Sequence, residues 1–330
     1  MNLGADIGLK MGKATRDAFG EALRDAGKTN QNIVVVDGDV NNSTRTEWFK
    51  EAFPERFFNV GIAESNLISV ASGLAASGKL PVAASFAAFL LCNAYDQIRM
   101  GVAYPHLNVK LVGSHAGISI GEDGPSQMGV EDVALACALP GMTVIVPSDE
   151  HQTRAATHAM LAHDGPVYLR VGRPAVPIIY DEQIQFTIGK ATQLRAGRDI
   201  TLIADGIMVA GALDAAARLE QQGIQARVLD MATVKPLDTE AVVAAARETG
   251  GIVVAEEHLH HGGLGSVVAM AVAANEPCRM AFVDLDDTFA QSGDAWELLQ
   301  TYGLTGDRIY VAALDLVQQA KGEGGGAGSS

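Results

Sequence analysis

Short, wholly apolar runs alternate with segments of helical periodicity along nearly the whole chain. Ala14, Ala18, Phe19, Ala22, Leu23 and Ala26 recur at helical spacing and end at Gly27, which predicts a first amphipathic helix. Ile33-Val34-Val35-Val36 then has no polar position, as expected of a strand covered on both faces. Comparable strands are predicted at 81–84, 109–112, 143–146 and 167–169, with helices near 64–77, 93–103, 130–138 and 150–163. Alternating strands and helices imply right-handed βαβ units around a mostly parallel sheet.

A second series follows a polar, Pro-containing stretch at 174–198. Its strands are predicted at 200–203, 226–229 and 251–254, and its helices at 210–222, 239–247 and 265–274. The expected architecture is therefore α/β with two parallel-sheet domains, 1–180 and 199–321, joined by a linker at 181–198. Residues 322–330, Gly-Glu-Gly-Gly-Gly-Ala-Gly-Ser-Ser, have the composition of a flexible tail.

Composition narrows the functional classes. Lys and Arg number 24 against 39 Asp and Glu, a net charge of −15, which disfavours nucleic acid and anionic membranes as partners. A small anionic substrate stays compatible, because a few local arginines outweigh distant charge. Hydrophobic residues make up 48% of the chain, enough for a large core. Cys92, Cys137 and Cys278 are far apart and form no C-x-x-C pair, so neither a disulfide framework nor a structural zinc site is expected. With no signal-like start and no membrane-length apolar run, a cytoplasmic location is expected.

Candidate chemistry clusters after the first-domain strands, where open α/β sheets place their ligands. There stand Asp37-Gly38-Asp39 with Asn42-Ser43-Thr44, Gly61-Ile62-Ala63-Glu64, Phe86-x-x-Phe89, Ser114-His115, and the loop Gly121-Glu122-Asp123-Gly124-Pro125-Ser126-Gln127. No Walker loop, H-E-x-x-H or G-x-S-x-G motif accompanies them. Gly113-Ser114-His115 with the acidic glycine loop, Ile62-Ala63-Glu64-Ser65-Asn66 and Phe86-Ala87-Ala88-Phe89 together resemble the C-terminal half of transketolase. Further along, Leu229-Asp230, Lys235-Pro236-Leu237-Asp238 and Glu256-Glu257-His258 resemble that family's last domain.

The resemblance implies a pyrimidine-binding thiamine-diphosphate fold followed by a transketolase C-terminal domain. It implies a catalytic Glu64, which hydrogen-bonds the aminopyrimidine and enables loss of the thiazolium C2 proton. Phe86 and Phe89 would wall the aminopyrimidine pocket, with Cys92 standing where the family often has another aromatic. His115 would bind the donor hydroxyls and assist proton movement, Asp123 would read a sugar hydroxyl, and Gln127 would hydrogen-bond on the cofactor side. Arg16, Ser43 and Arg173 would hold a terminal sugar phosphate. The histidines at 258, 260 and 261 are read as structural, and no metal ligand is expected on this chain.

The family's diphosphate and divalent-cation motif, Gly-Asp-Gly, occurs nowhere in the sequence. The expectation is one subunit of a split transketolase, in an α2β2 assembly with an N-terminal subunit that carries the magnesium or other divalent cation. Sugar phosphates are its expected substrates. Rival readings are the β subunit of a 2-oxo acid dehydrogenase E1, a deoxyxylulose-phosphate-synthase-like enzyme, and a non-catalytic assembly subunit.

Overall fold

In the computed structural model, which describes residues 3–324, two large sheets stand side by side and share apolar packing, beside a small antiparallel pair of Met11–Ala14 with Ala175–Pro177. The larger has seven strands in the order Thr233–Lys235, Thr143–Ile145, Val167–Arg170, Lys110–Ser114, Leu80–Phe86, Ile33–Asp37, Phe57–Asn59. All neighbours are parallel except Thr233–Lys235, which runs antiparallel to Thr143–Ile145. The Ile33–Asp37 strand is buried throughout, and its alternation divides its side chains between two layers. Ile33 and Val35 pack with Phe19 and Leu23 of the Thr15–Thr29 helix, whereas Val36 packs with Leu67 and Ile68 of the Glu64–Ala76 helix.

The smaller sheet is ordered Met280–Val283, Ile252–Ala255, Ile200–Ala204, Ala226–Asp230, Thr192–Arg195. Its first four strands are parallel and the last is an antiparallel edge. Met231 and Val234 pack in the same buried cluster as Val144 and Val146, so the two domains are continuous rather than hinged.

Several elements depart from the sequence reading. The stretch read as a linker contributes the edge strand Thr192–Arg195, paired with Val228, Leu229 and Asp230. Thr233–Lys235, inside the second series, crosses to the first sheet, and the Lys235 ammonium donates to the carbonyls of Cys137 and Leu139 at 2.9 and 2.6 Å. That cation caps the carbonyl end of the Asp132–Cys137 helix. At the other extreme, Leu3 is buried in the second domain's core and the Gly4 amide donates to Asp214.

The helix read at 93–103 is a short turn at Tyr95–Gln97 followed by a π-helix at Ile98–Ala103, and a separate helix, Ala87–Asn93, precedes it. Two late helices, Ala295–Thr301 and Gly306–Gly324, were not anticipated, although Asp294 caps the first by accepting from the Trp296 and Glu297 amides. The second runs into the segment read as a tail, of which 325–330 lie outside the described residues. Among the described residues no helix is long and apolar enough to cross a membrane.

Candidate active site

Parallel strands in register bring their carboxyl ends to one edge: Asp37 lies opposite Ala84, and Phe86 opposite Ser114. Segments near that edge carry the predicted site residues, and contacts join Arg16, Ser43, Phe86, Phe89 and His115 in one group and Asp123 with Arg173 in another. Phe86 closes its strand and Phe89 lies one turn on, their rings nearly parallel with centroids 5.8 Å apart. Beyond Phe86 lies the His115 imidazole, 4.0 Å away and tilted by 11°. His115 takes a positive φ of 58°, which turns the chain sharply after Ser114. Three flat rings thus form one stacked face.

His115 is buried, and its two nitrogens are both engaged. The Arg16 guanidinium donates to Nε2 at 2.9 Å, and Nδ1 meets Ser114 Oγ, also at 2.9 Å. Arginine has no acceptor, so Nε2 must be unprotonated and the proton sits on Nδ1. Burial, with the guanidinium groups of Arg16, Arg173 and Arg45 nearby, pushes the imidazole down to about 3. At neutral pH it is uncharged.

Arg16 lies in the first turn of its helix, and the same NH1 also donates to the Ser43 carbonyl at 3.2 Å. The contact to Ser43 is therefore through the backbone, with the hydroxyl left out of it. The Ser43 turn is fixed from below by Asp37, fully buried at its strand's end. Asp37 accepts from the Val40 amide and from the hydroxyls of Thr44 and Thr46, each at 2.8 Å. Desolvation raises the Asp37 carboxyl above its ordinary range, against the pull of those donors. Arg16 Nε is buried with no hydrogen-bond acceptor, although Asp17 lies 3.8 Å away.

Arg173 faces the same region from the other side, donating to the Ile120 carbonyl at 2.7 Å and to Glu122 at 3.0 Å. Asp123 is exposed, 3.9 Å from that guanidinium. Gln127 accepts from Ser126 at the end of a chain of turns in which Gly117, Gly121 and Gly124 all have positive φ. Glycine is required there, since the side chains of other residues rarely adopt that backbone.

Glu64 opens the Glu64–Ala76 helix, 7% exposed, and its carboxylate accepts no hydrogen bond from any described residue. The next residue, Ser65, donates to the Asn93 carbonyl at 3.0 Å, which fastens this helix start to the helix that carries Phe89. A carboxylate with no donor, on a helix start fastened to the helix that carries Phe89, leaves an acceptor open to a heterocycle with a protonatable ring nitrogen. Cys92, exposed on the helix that carries Phe89, points its thiol at Glu131, and partial desolvation with that neighbouring carboxylate pushes the thiol up to about 12.

Sequence reasoning missed Arg45, whose NH1 donates to the Asn42 carbonyl at 2.6 Å while Nε pairs with Asp17. It also missed Arg170, buried beneath the site, which donates to Asp132 and to the carbonyls of Gly129 and Glu257, each at 2.9 Å. Tyr168 completes that cluster with a 2.6 Å bond to Asp132. Nothing in the spacing of these residues marks them as neighbours. Of the late histidines, His258 joins Ala134 to Leu259, and His260 bonds Asp284 at 2.8 Å.

A mostly parallel sheet with its polar residues at the carboxyl edge and a second α/β domain beside it defines a two-domain α/β enzyme class. The transketolase pyrimidine-binding domain model matches residues 11–178, and the transketolase C-terminal domain model matches 189–309. A putative transketolase C-terminal section of Methanocaldococcus jannaschii is 43% identical over 300 residues, covering 90% of this chain and 94% of that protein. A 6-deoxy-6-sulfo-D-fructose transketolase subunit of Clostridium sp. is 43% identical over 304 residues, 92% of this chain and 94% of its own length. A solved split-gene transketolase, an inactive β4 tetramer, superposes with a TM-score of 0.87 at 46% identity, covering 93% of this chain and 99% of that one. The chain belongs to the transketolase family, and it carries the pyrimidine-binding and C-terminal domains that form a separate subunit in split members.

Proposed function

We propose that this subunit transfers a two-carbon ketol unit from a ketose phosphate to an aldose phosphate, in an α2β2 cytoplasmic complex with an N-terminal subunit. The N-terminal subunit would hold the diphosphate and divalent cation of thiamine diphosphate. When bound, thiamine diphosphate supplies carbanion stabilisation at its thiazolium carbon. The residues of this chain do the rest.

Glu64 would hold a proton at the aminopyrimidine ring nitrogen, the role its donor-free carboxylate suits. Phe86 and Phe89 would support the ring's face and exclude water. His115, neutral and fixed as the Nδ1–H tautomer, presents Nε2 as a base. A substrate anion competing for Arg16 would release that nitrogen to accept a donor hydroxyl. Asp123 would read a second hydroxyl, and Gln127 would hydrogen-bond the cofactor side.

The observation that carries the reading is Arg16, whose guanidinium lies on His115 Nε2 at 2.9 Å, with Arg45 and Arg173 held in the same region by the Asn42 and Ile120 carbonyls. In a chain of net charge −15, three such cations at one edge suit a terminal anion. A sulfonate would accept the same contacts, but phosphate carries nearly twice its charge, and three guanidinium groups favour it.

The test is reconstitution. The chain is mixed with the N-terminal subunit, thiamine diphosphate and magnesium, and ketol transfer between a ketose phosphate and an aldose phosphate is followed. Transfer should require both chains. Full turnover by this chain alone, or none with both chains under any phosphorylated donor, would overturn the reading.

A further inference from the structure

Glu257 belongs to the second domain, yet its side chain points into the first, under the loop that leaves His115. The Ser119 amide donates to its Oε1 at 2.6 Å and the Ser119 hydroxyl donates to its Oε2 at 3.2 Å. The carboxylate is so close beneath Gly117 that a Cβ there would lie 2.2 Å from its carbon and 2.3 Å from each oxygen. Gly117 therefore serves two ends, a positive φ and room for an acid from another domain. The Arg170 guanidinium donates to the Glu257 carbonyl and so fixes the backbone that presents the side chain.

The rest of the loop is seated on the same domain. Ile118 and Ile120 are buried in one cluster with Ala290, Leu298 and Leu299. At Gly121 a Cβ would meet the Gly293 carbonyl at 3.2 Å, and at Gly124 it would lie 2.3 Å from Ser292 Oγ. The loop thus runs from His115 across the second domain's surface before it presents Asp123 and Gln127.

We infer that Glu257 is a positioning residue for this loop: the second domain sets the placement of His115, Asp123 and Gln127 through the carboxylate that receives both donors of Ser119. It does not touch the substrate. This inference rests on the reading of the 116–127 loop as donor-binding, and the experiment separates the two.

Glu257→Ala, Glu257→Gln and Ser119→Ala are made in the full chain and assembled with the N-terminal subunit, thiamine diphosphate and magnesium. Amide hydrogen exchange is read across 116–127, with KM and kcat for a ketose phosphate donor. In Glu257→Ala the Ser119 amide loses its buried acceptor, so exchange there should accelerate about tenfold or more. Donor KM should rise about fivefold or more, and kcat should fall as well, because the same loop carries His115 along with Asp123 and Gln127. Glu257→Gln, which keeps an acceptor of the same shape, should recover most of both effects. If Glu257→Ala does not fold, Ser119→Ala should show the smaller loosening expected from losing the hydroxyl alone. Wild-type exchange across the loop in every folded variant would overturn the positioning role. A loosened loop with unchanged donor KM would instead overturn the donor-binding reading on which it rests.

Discussion

Arg16 NH1 lies 2.9 Å from His115 Nε2, so a permanent cation donates to the lone pair a catalytic imidazole would use. One hydrogen bond sets the tautomer and covers the base, while burial, with the neighbouring guanidinium groups, depresses its basicity. It also joins two segments, one from the first helix and one following the Lys110–Ser114 strand, that lie 99 residues apart in sequence.

That pair predicts a pH dependence. The folded-state value of His115 is lowered from 6.5 to about 3, so between those values the unfolded chain binds the extra proton. The stability contributed by the neutral ring is present above 6.5 and is lost as pH falls toward 3. Denaturation midpoints of the wild type should drop across this window more steeply than those of His115→Gln. In nitrogen-edited NMR spectra His115 should remain the neutral Nδ1–H form at pH 5, and an imidazolium signal there would refute the assignment.

Glu64→Gln should nearly abolish turnover while folding and assembly persist. An amide of the same shape cannot hold and return the proton at the ring nitrogen. Proton exchange at C2 of the bound cofactor, followed by NMR in the complex, is the direct measure. A wild-type exchange rate in this variant would remove Glu64 from the role.

Arg16→Ala should lower kcat/KM for phosphorylated donors by about one to two orders of magnitude, since charge-assisted contacts contribute roughly 1.5–3 kcal/mol. With hydroxypyruvate, which has no phosphate, most of that loss should vanish. Ser43→Ala should cost about threefold or less, because the residue meets Arg16 through its carbonyl, which alanine retains. Equal losses with both donors would make Arg16 a structural residue.

Beneath the site, Asp132→Ala would leave Arg170 buried without its carboxylate and Tyr168 without its acceptor. Breaking one side of such a pair costs about 3–5 kcal/mol. Urea unfolding should show the loss in full for alanine and only in part for Asp132→Asn, which keeps an oxygen toward both donors. A change under about 1 kcal/mol for alanine would mean that the cluster is not a stabilising one.

Much of this molecule was legible in the residues themselves. Runs such as Ile33-Val34-Val35-Val36 suit strands covered on two faces, because every position is apolar and alternate side chains must be buried in two layers. The alternation of these runs with helical stripes determined the α/β class, and the ordered motifs around Glu64, Phe86 and Gly121 carried the family. Local pattern also placed the candidate residues at strand ends, where ligands gather.

Other features depended on contacts that have no sequence signature. Thr192–Arg195 is polar enough to read as linker and becomes a strand only because Val228 to Asp230 offers an open edge. Thr233–Lys235 changes sheets because Ile145 and Val144 lie within reach, which no local propensity encodes. No site role is read for Arg45, Arg170 or Glu257 in the sequence, even though Glu257 lies in a motif that resembles the family. Folding buries Arg170 and Glu257 and aims Arg45 at Asp17 and the Ser43 turn. Periodicity reports which face of an element meets the core, and so the sequence determined the layers. Which charged side chain crosses from one domain to hold another's loop is decided by distance in three dimensions, and only the tertiary structure brings Glu257 to Ser119.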